Sequence, residues 1–280
     1  MKKELVEKSP LILRFKSNKE QFYKKPRPKI LAFLRPNFPI SPFALSLQTK
    51  SINMKKTIIA LDGHSSCGKS STAKRVAKKL GYAFVDTGAM YRAVSLYFYD
   101  NHVTLTNPHD VERALSEIHI TFHFNENRGA SDVFLNGLNV EEEIRKMYIS
   151  QMVSEVSAIT IVRKAMVAQQ QKMSKHRGVV MDGRDIGTKV FPNAEIKVFM
   201  TADPTIRAER RQRELLEKGE MVDLDVILAN IKKRDIIDST REEGPLTQTK
   251  DAVLMDTSFM TLDEQVDFVV QLHDSFMAKI

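Results

Sequence analysis

The sequence predicts an α/β protein of three layers, α/β/α, with a five-stranded parallel sheet covered by helices on both faces. Three observations predict it. Short apolar runs recur at 57–61, 82–85, 179–181, 196–200 and 252–255; segments of helical character, 69–80, 87–100, 149–173, 204–217 and 261–278, alternate with them; and a glycine-bounded loop joins the first run to the first helix. Strands buried on both faces read as continuous apolar runs, and alternation with helices makes neighbouring strands parallel, because each helix carries the chain back across the sheet.

The first run, Thr57 to Leu61 (TIIAL), is bounded by Asp62-Gly63 and reads as a buried strand. In 69–80 (KSSTAKRVAKKL), Ala73, Val76, Ala77 and Leu80 fall at helical spacing with lysines and Arg75 on the other face, and Gly81 ends the run. Between Ile118 and Leu138 the period changes to two, HITFHF and then DVFLNG, with a turn at 125–130. This predicts a small antiparallel insert, about 116–148, within one core domain spanning 54–280.

The loop between the first strand and helix carries the chemistry. Gly63-His64-Ser65-Ser66-Cys67-Gly68-Lys69-Ser70 satisfies GxxxxGK[ST] in the strand–loop–helix context that the pattern requires, which marks a P-loop nucleotide-binding fold. Its backbone amides converge on phosphate oxygens, assisted by the helix N-terminus, and Ser71 extends the set. Lys69 is placed to reach the β- and γ-phosphates of ATP, and Ser70 to contact magnesium, with Asp182 at the end of the VVMD strand as the partner carboxylate. His64 and Cys67 have no second ligand at metal spacing and read as ordinary loop residues.

Composition narrows the classes. The net charge of +8 is carried by residues 1–53, which hold 12 Lys and Arg against three acids, six of the ten prolines and no glycine, while 54–280 is nearly neutral. The leading segment is expected to be a largely disordered basic extension, or to precede the native start at Met54; an anionic partner such as RNA is the competing reading, and nucleic-acid binding is not the expected function. A single cysteine excludes an internal disulfide, and no apolar run reaches the roughly 20 residues that span a bilayer. A soluble, cytoplasmic monomer is expected, with no membrane partner. The guanine-reading motif of GTPases is absent, since Thr249-Lys250-Asp251 has the wrong spacing, and the body is small for a motor or helicase. A small-molecule kinase is the class that remains.

At this point several separated segments resemble the bacterial cytidylate kinase family, from Met54 to the C-terminus. They are the phosphate loop, Asp86-Thr87-Gly88-Ala89-Met90-Tyr91-Arg92, Asp182-Gly183-Arg184-Asp185-Ile186-Gly187-Thr188, Val190-Phe191-Pro192, and Arg234-Asp235-Ile236-Ile237-Asp238-Ser239-Thr240-Arg241. Ser65, Ser66 and Cys67 depart from the family's usual Pro-Ala-Gly type of loop, and Asp86-Thr87 from its usual Asp-Ser. The resemblance implies magnesium-dependent transfer from ATP to CMP or dCMP, with another nucleoside monophosphate or a small metabolite as the alternative acceptor. It implies that Arg92, Arg184 and Arg241 grip the acceptor phosphate; that Asp185, Arg163 and Ser154 read cytosine; that Asp238 and Arg234 face the sugar; and that Thr87 and Tyr91 line the acceptor site. Ser154 and Arg163 are nine residues apart, two and a half turns, so both can face one base only if the 149–173 helix is broken near Ile159 to Val162. Arg207, Arg210 and Arg211, ahead of a polar turn at 217–220, resemble a lid of about 207–225 that closes over ATP, with Arg207 and Arg210 on its phosphates and Arg211 joining Lys69, Arg92 and Arg184 in catalysis.

Overall fold

The computed structural model describes residues 56–128, 130–173 and 177–280; the expectations for 1–53 lie outside the described residues. Five strands, β1 (Ile58–Gly63), β2 (Ala83–Asp86), β6 (Val179–Gly183), β7 (Ile196–Thr201) and β8 (Val253–Asp256), form a sheet in the order β2-β6-β1-β7-β8. Every neighbouring pair is parallel. In the centre, Ile59, Ala60 and Leu61 are fully buried, which explains the unbroken apolar run. Trimming a side chain such as Leu61 to alanine in such a core costs about 2–5 kcal/mol.

Helix α1 (Lys69–Leu80) packs with α8 (Leu262–Met277) on one face of the sheet, through Ala73, Val76, Ala77, Val266 and Val269. On the other face lie α2 (Thr87–Asp100), α4 (Met147–Ala158) and α5 (Thr160–Met173), around Met90, Val94, Ile149 and Val162. The predicted 149–173 helix is therefore two helices. Ile159, with φ −69° and ψ 118°, is extended rather than helical and separates α4 from α5. A three-stranded antiparallel sheet, β3 (Ile120–Asn125), β4 (Ala130–Leu135) and β5 (Leu138–Asn139), occupies the region where the period changes to two.

Two helices lie beyond the sequence expectations. Asn107 caps α3 (Pro108–Glu117) by accepting from His109 N, with Pro108 at the first helical position. Helix α7 (Leu224–Thr240) has apolar residues all round, Val226 and Ile236 being exposed while Ile227 and Ile231 are buried, so it has no single apolar stripe. It pairs with α6 (Pro204–Glu217) about a small core of Ala208, Leu215, Ile227 and Ile231. Among the described residues, no helix is long and apolar enough to cross a membrane.

Candidate active site

The site lies at the carboxyl edge of the sheet, where β1, β2 and β6 end in Gly63, Asp86 and Gly183. This is the position at which parallel sheets bind ligands, since the helices that follow present their N-termini there. Gly63 has φ 149°, and a Cβ there would lie 1.9 Å from the Met200 carbonyl oxygen, so the loop leaves the strand by a route open only to glycine. Ser66 adopts φ 59°, a left-handed backbone unusual for a residue with a side chain. Lys69 is buried, with its ammonium hydrogen-bonded to the His64 carbonyl, and burial lowers its pKa. Cys67 Sγ donates to the same carbonyl at 3.0 Å.

Ser70 Oγ donates to Asp182 Oδ2 at 2.6 Å, while Asp182 Oδ1 is buried without a hydrogen-bond partner among the described residues. Burial, with Asp86 nearby, pushes the Asp182 carboxyl up to about 7. No cluster of three His, Cys, Asp or Glu residues able to hold a metal occurs among the described residues. A hydroxyl and one carboxylate suit magnesium, which keeps most of its oxygen ligands from water and substrate phosphates.

Beside this loop, one cleft gathers Thr87, Tyr91, Arg92, Ser154, Arg163, Arg184, Asp185, Arg234, Asp238 and Arg241. Asp86 starts α2 by accepting from Ala89 N at 2.8 Å, which sets Thr87 on the first turn and Tyr91 and Arg92 one turn on. Thr87 Oγ1 donates to the Asp182 carbonyl at 2.7 Å, joining α2 to β6. Arg184 Nε donates to Asp238 Oδ2 at 2.8 Å, and Arg163 pairs with the buried Asp185 while lying 5.3 Å above the Tyr91 ring. The break at Ile159 is what brings Ser154 and Arg163 to one cleft. Asp238 is buried between Arg184 and Arg241, so it is no exposed helix-surface partner of Arg234.

Arg92 Nε and Arg234 Nε are buried without hydrogen-bond partners among the described residues. Burial, with Arg145 and Arg234 nearby, pushes Arg92 down to about 9; burial and Arg184 push Arg234 down to about 10. Crowded guanidiniums with bare nitrogens form a site that a multiply charged anion relieves.

The three lid arginines are separated rather than aligned. Arg207 is 2% exposed and fully engaged: Nε donates to Ala202 O at 2.9 Å, Nη1 to Ser65 O at 3.3 Å, and both Nη atoms to Asp235, at 3.0 and 2.6 Å. These bonds clasp the phosphate loop, α6 and α7 together. Asp235 also lies 3.4 Å from His64 Nδ1. Arg210 donates to Thr257 Oγ1 and to the carbonyls of Thr257 and Ser258, beside Gly68 and Ser71. Arg211 reaches the Arg145 carbonyl at 3.2 Å and Glu214, at the rim of the phosphate loop.

Two further residues shape the site. Asp62 Oδ1 and Oδ2 accept from Ile186 N at 2.8 Å and Gly187 N at 2.7 Å, holding the turn that carries Arg184 and Asp185; burial raises its pKa to about 6. Arg145 bridges Asp86, at 2.9 Å, and Glu141, at 3.0 Å. Asp62 reads in sequence as the bound of the first strand, and Arg145 belongs to no motif. A carboxylate closing a buried strand ahead of the loop is the signal that would have found Asp62.

The profile of the cytidylate kinase family matches residues 59–275. The chain belongs to the cytidylate kinase family. It is 58% identical over 219 residues to the cytidylate kinase of Cytophaga hutchinsonii, covering 78% of this chain and 94% of that protein. It is 50% identical over 220 residues to that of Bacteroides fragilis, covering 78% and 96%, and 47% identical over 222 residues to that of Flavobacterium psychrophilum, covering 78% and 98%. Membership of the cytidylate kinase family makes the chain a phosphotransferase.

Proposed function

We propose that the chain transfers the γ-phosphoryl group of ATP to CMP and dCMP. The observation that carries this reading is the convergence of Arg92, Arg184, Arg234 and Arg241 on one cleft with the phosphate loop. Both substrates are anions, and the acceptor phosphate, with a second pKa near ~6, is already ionised at neutral pH. The nucleophile needs no base; it needs alignment and charge neutralisation. Arg92, Arg184 and Arg241 provide this for the acceptor phosphate. Asp185 accepts from the exocyclic amine of cytosine, which uracil lacks, with Arg163 and Ser154 beside the ring. Asp238 and Arg234 face the ribose.

On the other side, Lys69 would exchange the His64 carbonyl for phosphate oxygens of ATP, and the amides of residues 64–71 cradle those oxygens. Arg210, Gly68 and Ser71 border a neighbouring cavity suited to the rest of the nucleotide. Ser70 and Asp182 would hold magnesium, which supplies charge neutralisation at the phosphates. The α6–α7 pair serves as the lid, with Arg211 brought in from the rim and Arg207 as its fixed anchor; closure excludes water, the competing acceptor. Insert residues 116–148 help to close the acceptor side through Arg145.

The test is ADP production by the full chain from magnesium and ATP with CMP, dCMP, UMP, AMP or no acceptor. Turnover that depends on CMP and dCMP and falls at least tenfold with UMP and AMP is the expected result, on the order of one well-placed polar contact. No acceptor-dependent turnover, or faster turnover with AMP, overturns the proposal.

A further inference from the structure

The structure assigns Ser157 a positioning role in the acceptor cleft: it holds apart, and in register, the arginine that faces the base and the arginine that faces the phosphate. This rests on the acceptor reading above. Ser157 is 7% exposed and lines the cleft together with Ser154, Arg163, Asp185 and Arg241.

Ser157 sits in the last turn of α4, just before the break at Ile159. The carbonyls of a last helical turn have no partner within the helix. The Ser157 carbonyl finds one in Arg163, whose Nη1 donates to it at 3.1 Å while Nη2 binds Asp185. The hydroxyl of Ser157 donates to the Ser154 carbonyl at 3.0 Å, so its proton is committed and its lone pairs are left to accept. Arg241 Nη1 lies 3.4 Å from that oxygen, and equally 3.4 Å from Asp238 Oδ1. Arg241 Nε is held by the Gly244 carbonyl at 2.9 Å, and Nη2 is buried without a partner among the described residues.

Two guanidiniums thus meet at one residue, one on its carbonyl and one on its hydroxyl. Like charges this close in a buried site repel, and the nearness of Arg163 contributes, after burial, to lowering the Arg241 pKa. The hydroxyl gives Arg241 an acceptor opposite Asp238 and so keeps its bare Nη2 in the cleft. Without it, Arg241 has Asp238 alone at Nη1 and turns onto the carboxylate assigned to the ribose. Arg163 keeps its carbonyl in either case. The effect therefore falls on acceptor binding, and falls alike on CMP and dCMP.

The test compares the full-length wild type, Ser157→Ala and Ser157→Thr, measuring kcat and KM for CMP, dCMP and ATP together with thermal unfolding. A threonine hydroxyl makes the same bond to a carbonyl one turn back in a helix. Ser157→Ala is expected to raise KM for CMP and dCMP by the same factor, roughly three- to tenfold for one lost hydrogen bond. KM for ATP and kcat should stay within twofold, on the order of the error of such comparisons, and Ser157→Thr should restore the acceptor KM. A Ser157→Ala enzyme with unchanged acceptor KM, or with a loss confined to kcat and melting temperature, overturns the proposal, as does a raised KM that threonine leaves uncorrected. Absence of CMP-dependent turnover in the wild type itself is a different result: it removes the acceptor reading, and this inference with it.

Discussion

On the phosphate-loop side of the cleft, every guanidinium nitrogen of Arg207 donates to a protein oxygen, and Arg210 is held by Thr257 and Ser258. On the acceptor side, Arg92 and Arg234 each keep a buried Nε, and Arg241 a buried Nη2, without a partner among the described residues. The difference separates arginine that holds the fold from arginine that, on the proposed function, binds the acceptor. A buried guanidinium with saturated nitrogens stabilises the arrangement around it, and its loss leaves the opposing carboxylate bare. A guanidinium with bare nitrogens opposes folding until an anion supplies the missing contacts, which is the usual conflict between a binding site and stability.

Removing the clasp tests the first half of this comparison with the largest effect. Arg207→Met leaves the half-buried Asp235 with His64 alone beside it, and losing such charged hydrogen bonds costs about 1–3 kcal/mol. The measurement is urea unfolding of the wild type and variant; a loss under about 1 kcal/mol, the range of an exposed pair, breaks the comparison. A smaller effect sharpens it through pH. Burial opposes ionisation of Asp235, but His64 beside it and the paired Arg207 guanidinium outweigh burial and hold the carboxyl down at about 2 from the ordinary 3.8. The stability this contributes is complete above the ordinary value and is lost as pH falls through about 2. Stability measured from pH 5 to 2 should therefore fall more steeply in the wild type than in Asp235→Asn; parallel curves would show that Asp235 is not held ionised by the clasp.

What was legible in the sequence follows the same division. The sheet could be read because β1, β6 and β7 are buried on both faces and leave unbroken apolar runs, and the phosphate loop because Gly63 is irreplaceable beside Met200. The break in the long helix could be inferred from the spacing of Ser154 and Arg163. Helix α7 was harder, since Val226 and Ile236 are exposed and blur its periodicity. The pairing of Arg207 was not legible: three arginines at helical spacing look alike until Asp235, 28 residues away, pairs with one of them. Asp62 and Arg145 were missed for the same reason, because their partners at Ile186, Gly187 and Asp86 come from other strands and turns.

The most direct test is the melting temperature of Arg92→Met, with and without CMP, beside the wild type. A volume-conserving neutral side chain removes the bare charge without opening a cavity. The account predicts that the unliganded variant melts at or above the wild type, while saturating CMP raises only the wild type. For a ligand at 100 times its Kd the gain is about 2.7 kcal/mol, on the order of 5–10 °C for a body of this size. An unliganded variant that melts well below the wild type, yet still gains the full shift with CMP, would mean that Arg92 holds the fold and does not bind the acceptor.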